Sequence, residues 1–505
     1  MAQKTTMTVD KEFRIAKIDK RIYGSFIEHL GRAVYTGIYQ PDHESADEDG
    51  FRKDVLQLVR ELNVPIVRYP GGNYVSNFFW EDSVGPKEER KKRLDMAWRT
   101  MEPNEVGINE FSKWAKKADA DVMMAVNLGT RGTDAALNLL EYCNLDTDSY
   151  YAELRRKHGE KDPYGIRLWC LGNEMDGPWQ MGHKEAKEYG HLAAETAKAM
   201  KMMDSSLEFV ACGSSNVDMP TFATWEADVL SEAYDYVDYI SLHQYFAKKS
   251  EDTADFFALT DDLDYFIRSI IATCDYVRAK KHSKKDINLS FDEWNVWYHT
   301  HAKDEEDMAD KPWRLHPHLL EDIYTYEDAI VDGLALITLL RHSDRVKVAC
   351  LAQLVNVIAP IMTEEGKNGK AFRQTIFYPF CHASRFGRGY ALQPVIRTGK
   401  HATAEHDEVT DIEAIAVDNE EAEEVTIFAV NRNVKEAVEF EAVLSGYEGY
   451  TVKEYLALEG SDMLAVNSAA EEKVAPVRRT DITIDNNVVN TWMKPASWNV
   501  ILLGR

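Results

Sequence analysis

Ile166–Trp179, IRLWCLGNEMDGPW, decides how the chain is read: an apolar run from Ile166 to Leu171 meets Gly172, Asn173 and Glu174, then breaks at Gly177 and Pro178. Such a run suits a strand buried on both faces, and Asp176, Gly177 and Pro178 cannot comfortably extend it, so Asn173 and Glu174 fall at the strand's C-terminal end. Ile287–Asn295, INLSFDEWN, has the same form and ends in Asp292, Glu293, Trp294 and Asn295. Two carboxylates carried at two strand ends point to one shared cleft.

Working outward, runs of the same texture occur at Ile22–Ile27, Val64–Tyr69, Val122–Val126, Leu207–Cys212, Val237–Leu242 and Val346–Leu354. Helical periodicity separates most of them, as in Phe51–Leu62, Asn109–Ala118, Glu185–Met203, Phe222–Ala233, Asp262–Lys280 and Glu327–Arg341. Eight strands alternating with helices describe a (β/α)8 TIM barrel with large insertions. An open doubly wound sheet is the competing fold, weakened because Ile22–Gly31 supplies no GxGxxG phosphate turn. Beyond about Arg385 the texture changes to short strand-like runs at Glu423–Val430, Ala437–Leu444, Thr451–Leu458, Arg479–Ile484 and Trp498–Leu503, which predict a β-sandwich. The expected organisation is residues 1–18 contributing a strand to that sandwich, 19–384 forming the barrel and 385–505 the C-terminal β-sandwich domain, with the acidic segment His401–Asp411 a solvated loop.

Composition narrows the function. Asp plus Glu number 85 against 59 Lys plus Arg, for a formal charge of -26, so neither a nucleic acid nor an anionic membrane is an expected partner and a neutral substrate is favoured. The N-terminus has no apolar signal core and no stretch approaches a membrane span, which makes cytoplasmic residence the default expectation. Six scattered cysteines lack metal-like spacing and read as buried thiols. His299-x-His301 and His316-x-His318 lack a partner set for zinc, so neither a metal nor a cofactor is expected.

In a barrel the strand ends converge, so Glu28, Asn73, Asn127, Asn173, Glu174, Tyr245, Glu293 and Gln353 can meet across long sequence separations. Acids and amides suit a hydroxyl-rich ligand, since carboxylates accept sugar O–H bonds and amides both donate and accept. Two carboxylates across a cleft can carry glycosidic hydrolysis. Glu174 is the better acid, with Trp169, Met175 and Trp179 expected to desolvate it, while Arg68 and Tyr245 can keep Glu293 ionised as the attacking group.

The longer motifs carry a resemblance. GNEMDGPWQ at 172–180, FDEWNVWY at 291–298, IYGSFIEHLGRAVYTGIY at 22–39, VPIVRYPGGNYVSNFFWEDSVGP at 64–86, LDMAWRTMEPNEVGINEF at 94–111, LAQLVNVIAP at 351–360 and SWNVILL at 497–503 look like the intracellular alpha-L-arabinofuranosidases of glycoside hydrolase family 51. The resemblance implies a barrel with a C-terminal β-sandwich, retaining exo-acting chemistry without a catalytic metal, arabinofuranosyl-containing oligosaccharides as substrates, and a homo-oligomer, with a hexamer favoured. It implies Glu174 as acid/base and Glu293 as nucleophile. Glu28, Asn73 and Asn173 would bind furanose hydroxyls, Tyr245 would touch nucleophile and sugar, Gln353 would line the pocket and Trp98 would form part of its wall. A charged loop over Val296–Lys311 is the feature expected to affect the leaving oligosaccharide. Rival readings are another barrel glycosidase, such as an endoglucanase or β-xylosidase with a different pocket, and a noncatalytic carbohydrate-binding module.

Overall fold

The computed structural model describes residues 4–505. Eight parallel strands close into a barrel in chain order: Gly24–Phe26, Ile66–Tyr69, Asp121–Ala125, Leu168–Leu171, Glu208–Ala211, Tyr239–Phe246, Asn288–Val296 and Val346–Leu351. Closure occurs where Cys350 pairs with Gly24. A Cβ on Gly24 would lie 2.7 Å from the Ala349 carbonyl oxygen, so the absence of a side chain is what lets the first and last strands approach. The apolar runs that announced the strands are buried on both faces, inside against one another and outside against the helices.

Two strands run further than their apolar runs suggest. His243–Tyr245, expected to close the sixth run, and Trp294–Asn295, expected beyond the seventh strand's end at Glu293, remain paired inside the sixth and seventh strands, with His243 opposite Glu293 and Tyr245 opposite Asn295. The register shifts between Ser241 and His243, and again between Phe291 and Trp294 on the other edge of the seventh strand. Such irregularities re-aim side chains and accompany active sites. The helix expected from Asp262 begins at Thr253, where Asp252 accepts the Ala254 N–H and caps it. Helices at Thr133–Asn144, Tyr150–Lys157 and Phe377–Phe386 lie in stretches for which no element was expected.

The charged stretch after the seventh strand is a helix, His301–Asp310, rather than a loop. Asp304 fastens it by accepting from Thr300 Oγ1 at 2.6 Å and from the Leu320 N–H at 3.0 Å, contacts whose partners sequence periodicity does not reveal. Segment 401–411 is likewise more than a solvated loop: Lys400–His401 pairs with Val409–Thr410, and the Glu405 N–H donates to Asp255 Oδ1 on a barrel helix at 2.9 Å.

C-terminal to the barrel, two mostly antiparallel sheets enclose a second core that includes Met7, Phe440, Ile427 and Ile501. The N-terminal chain enters both sheets. Lys4–Asp10 lies between Val395–Arg397 and Val438–Ser445 in one, and Arg14–Lys17 edges the other beside Tyr390–Leu392. Residues 1–3 of the expected N-terminal segment lie outside the described residues.

Trp498 joins sandwich to barrel. Its buried ring stacks on Phe428, its Nε1 donates to His382 Nδ1 at 3.1 Å, and it packs so closely on the helix Tyr326–Arg341 that a Cβ on Gly333 would sit 2.6 Å from the ring. Trp498→Ala is therefore expected to destabilise the chain by about 3–5 kcal/mol through the cavity it leaves. Denaturant unfolding followed by far-ultraviolet circular dichroism checks this as a lowered midpoint.

Candidate active site

At the C-terminal face of the barrel a cavity of about 610 Å³ is lined by Glu28, Asn73, Trp98, Glu174, Tyr245, Glu293 and Gln353 among others. Arg68 and Asn173 sit directly beneath and reach it through hydrogen bonds. The structure thus brings together all nine singled-out residues from the first, second, fourth, sixth, seventh and eighth strands and the hairpin after the second. Asn127 is not among the lining groups: its amide is spent on the Phe78 carbonyl and Thr130 Oγ1, so it braces loops instead.

Glu293 is held on both oxygens. Arg68 Nη1 donates to Oε1 at 2.6 Å and Tyr245 Oη donates to Oε2 at 2.8 Å. Both bonds stabilise a negative carboxylate. Arg68 also donates through Nη2 to Asn173 Oδ1 at 2.7 Å, which fixes that amide so that its Nδ2 donates to Asn73 Oδ1 and Gln180 Oε1, each at 3.2 Å. Burial works against the Arg68 charge, but Asp292 and Glu293 outweigh it and hold the guanidinium well above its ordinary range.

Glu174 faces Glu293, with an oxygen of each within 4.8 Å of the other. Its backbone adopts φ 42°, in the left-handed region, a conformation that costs a non-glycine residue roughly 1–3 kcal/mol and persists where the surroundings impose it. The expected apolar cover differs from the observed one. Cys170 points into the barrel, its Sγ 3.9 Å from Asp292, so by strand alternation the neighbouring Trp169 faces the outer helices. Trp179 is half exposed and donates Nε1 to Glu174 Oε2 at 2.5 Å, acting as a hydrogen-bond partner rather than a hydrophobic wall.

Glu28 closes the cavity floor. Its Oε1 accepts from the Tyr74 N–H at 2.8 Å and from Trp98 Nε1 at 2.9 Å, while Gln353 Oε1 accepts the Glu28 N–H at 3.0 Å. Burial is the main cause of a carboxyl pKa pushed up to about 8, with the Trp98 and Tyr74 bonds opposing it and the Glu293 charge adding to it. At neutral pH Glu28 can therefore donate as well as accept. Trp297 forms another wall, its ring edge-on to Tyr245 at 5.3 Å.

His243 is the principal residue the sequence did not single out. Its Nδ1 lies 2.9 Å from Glu174 Oε1 and its Nε2 3.1 Å from Asp292 Oδ1. Burial disfavours its charge, but Glu293, Asp292 and Glu174 together raise its pKa to about 10, so it stands between the two glutamates as an imidazolium. His243, Glu174 and Glu293 have the spacing of a cation site. In this arrangement both His243 ring nitrogens are already directed at carboxylates, Nδ1 at Glu174 and Nε2 at Asp292. The signal was present in His243-Gln244-Tyr245 at a strand end, but without the bulge nothing in the sequence distinguishes which of the three faces the acids.

The His243 shift has a pH signature. A group raised from about 6.5 unfolded contributes stability fully below that pH and loses it as pH climbs through about 10; the raised Glu28 acts with the same sign. The urea midpoint should therefore fall between neutral pH and about 10, and His243→Gln should flatten that fall.

A parallel barrel with two facing carboxylates, one ion-paired and one beside a donor, among amides at the strand ends defines the class: a glycoside hydrolase of the barrel type. Comparisons with known proteins specify it. The chain matches the family model "Alpha-L-arabinofuranosidase 1 domain" over residues 58–265 and "Alpha-L-arabinofuranosidase C-terminal domain" over 292–497. It is 62% identical over 503 residues to the intracellular exo-alpha-(1->5)-L-arabinofuranosidase of Acetivibrio thermocellus, covering 100% of each chain. To an enzyme of the same name, numbered 1, from Bacillus subtilis it is 57% identical over 501 residues, covering 99% of each. Among solved structures, a family 51 alpha-L-arabinofuranosidase from Bifidobacterium longum superposes with a TM-score of 0.94 at 43% identity, covering 99% of this chain and 100% of that one. The chain belongs to the alpha-L-arabinofuranosidases of glycoside hydrolase family 51.

Proposed function

We propose that this chain is a retaining, exo-acting enzyme that hydrolyses terminal non-reducing alpha-L-arabinofuranosyl groups from arabinan or arabinoxylan oligosaccharides through a covalent glycosyl-enzyme. The observation that carries the retaining assignment is the separation of the two carboxylates, whose nearest oxygens lie within 4.8 Å. Retaining enzymes hold their two carboxyl groups about 5–5.5 Å apart and inverting ones about 6.5–9.5 Å, and oxygens this near each other agree with the closer spacing.

Glu293 acts as the nucleophile because the Arg68 and Tyr245 bonds keep it anionic and fix its oxygens beside the cavity. Glu174 delivers a proton to the departing glycosidic oxygen, then takes one from the water that cleaves the glycosyl-enzyme. His243, touching Glu174 and close to Glu293, steadies the charge that moves between them. Glu28, Asn73, Asn173, Gln353 and Trp98 bind the hydroxyls and one edge of a single furanose. A pyranose presents its hydroxyls at other positions and leaves buried polar groups unpaired, which costs binding free energy.

The names of the two bacterial relatives support exo action on 1,5-linkages and an intracellular, here cytoplasmic, site of action. Among the described residues no helix is long and apolar enough to cross a membrane. A closed homo-oligomer, a hexamer by family resemblance, requires apolar or charge-paired interfaces to offset -26 per chain. Light scattering after size separation tests the assembly; a mass of 57.7 kDa at micromolar concentration rejects it.

The decisive experiment follows end-labelled 1,5-linked arabinopentaose by product analysis and proton NMR. Terminal arabinose released first, with retained anomeric configuration, is expected. Internal cleavage first overturns exo action, and an inverted first product overturns the covalent mechanism.

A further inference from the structure

We propose that the outer half of the cavity selects leaving groups by charge, accepting neutral or cationic ones and disfavouring those that carry a uronate or other carboxylate. This inference rests on the arabinofuranosidase reading and adds to it a substrate class. The cavity lining contains Glu28, Glu174, Asp218, Glu293, Asp304 and Glu305 and, among the described residues, neither a lysine nor an arginine. Arg68, beneath the floor, is already committed to Glu293, Asp292 and Asn173.

The acids divide by position. Glu28, Glu174 and Glu293 surround the first sugar. Asp304 is buried and spent on Thr300 and the Leu320 N–H. Asp218 and Glu305 remain, both lining the cavity and both exposed, which sets them toward its solvent side. His301 is the basic group nearest Glu305, at 4.0 Å.

Neither acid is on a loose tether. The Asp218 N–H is held by Asn216 Oδ1 at 2.9 Å. The helix bearing Glu305 is pinned through Asp304 and through Asp322, which accepts from the backbone N–H groups of Tyr298, His299 and Thr300 at 3.0–3.2 Å. In the same lining, Trp179, Trp297 and Met308 offer apolar surface on which the weakly polar faces of a neutral sugar can rest. An anionic leaving group would meet that surface with no lysine or arginine among the lining groups, inside the field of a chain carrying -26. Like charges in so partly desolvated a cleft repel, and salt screens them over a length of about 8 Å at physiological ionic strength.

Three aryl alpha-L-arabinofuranosides test this, bearing para substituents CH2COO⁻, CH2CONH2 and CH2NH3⁺. The methylene insulates the phenol, so leaving-group acidity stays nearly constant while charge varies. At about 20 mM salt, kcat/KM for the amide should exceed that for the carboxylate roughly tenfold, the ammonium should match or exceed the amide, and about 0.5 M salt should shrink the amide-to-carboxylate ratio to about twofold. Asp218→Asn and Glu305→Gln should each reduce the low-salt ratio, and the double variant should bring it close to that at high salt, with the amide as each variant's internal reference. Equal kcat/KM for amide and carboxylate at low salt, or a ratio unmoved in the double variant, overturns the inference. Failure to hydrolyse even the neutral amide substrate overturns the arabinofuranosidase reading itself.

Discussion

Glu293→Ala is expected to lose activity on the order of 10⁴-fold or more, because in the mechanism proposed above it removes the atom that forms the glycosyl-enzyme. The loss should be chemical rather than structural. Arg68 loses one buried anion but keeps Asn173 and, at 3.8 Å, Asp292, and Tyr245 is free to find water. Azide fits the space the carboxylate leaves and faces the same cationic Arg68. Added azide should restore turnover of an activated aryl arabinofuranoside and yield an arabinosyl azide of inverted configuration, since a single displacement replaces two. Proton NMR of the product distinguishes the outcomes. Near-normal turnover of an unactivated arabinoside by this variant would reject Glu293 as nucleophile.

Glu174→Ala should behave differently, because a proton donor matters in proportion to how poor the leaving group is. With an arabino-oligosaccharide, the glycosidic oxygen cannot depart without protonation, and the loss should be roughly 10²–10⁴-fold. With a dinitrophenyl leaving group the first step needs little help and should stay fast, while hydrolysis of the intermediate slows for want of a base. Single-turnover measurements should thus show a burst of phenolate that the unaltered enzyme does not accumulate. An equal slowing of the first step with both substrates would remove Glu174 from the acid role. The Trp179 N–H bond gives this position a tuning element, and Trp179→Phe, which keeps the ring and deletes the donor, separates the bond from the surface it offers.

The barrel was legible because its parallel strands are buried on both faces and announce themselves as unbroken apolar runs ending in Glu, Asn or Gln. Leu168–Leu171 carries that signal, whereas Ile287–Phe291, interrupted by Asn288 and Ser290, is marked as much by the acids that close it. His243 was not legible, because its role depends on a bulge between Ser241 and His243, and register irregularities leave no mark on hydropathy. Nor was Gln180: its Nε2 reaches Ser76 Oγ at 2.5 Å across the second strand's loop, a contact set by tertiary placement. Trp169 and Trp179 look equivalent around Glu174 in the sequence. Strand alternation sends the first outward, and the turn at Gly177 brings the second back over the carboxylate. Helix His301–Asp310 was hidden by its composition, since five acids in ten residues resemble a solvated loop until Asp304 is seen to be buried.

The placement of Lys4–Asp10 inside a sheet, parallel to Val438–Ser445, sets the order in which the chain can be finished. The barrel lies between this strand and its partner in chain order, so the strand is made earlier and waits, unpaired, while the barrel is synthesised. Loop closure on this scale adds little to the entropic cost per added residue but much to the delay. During that interval Met7 and Val9, which end fully buried, are exposed to other nascent chains. Deleting residues 4–10 removes an interior strand and opens a raw edge on each side of the gap. Pairing of Lys4–Asp10 thus decides whether this sheet is continuous or carries two open, aggregation-prone edges.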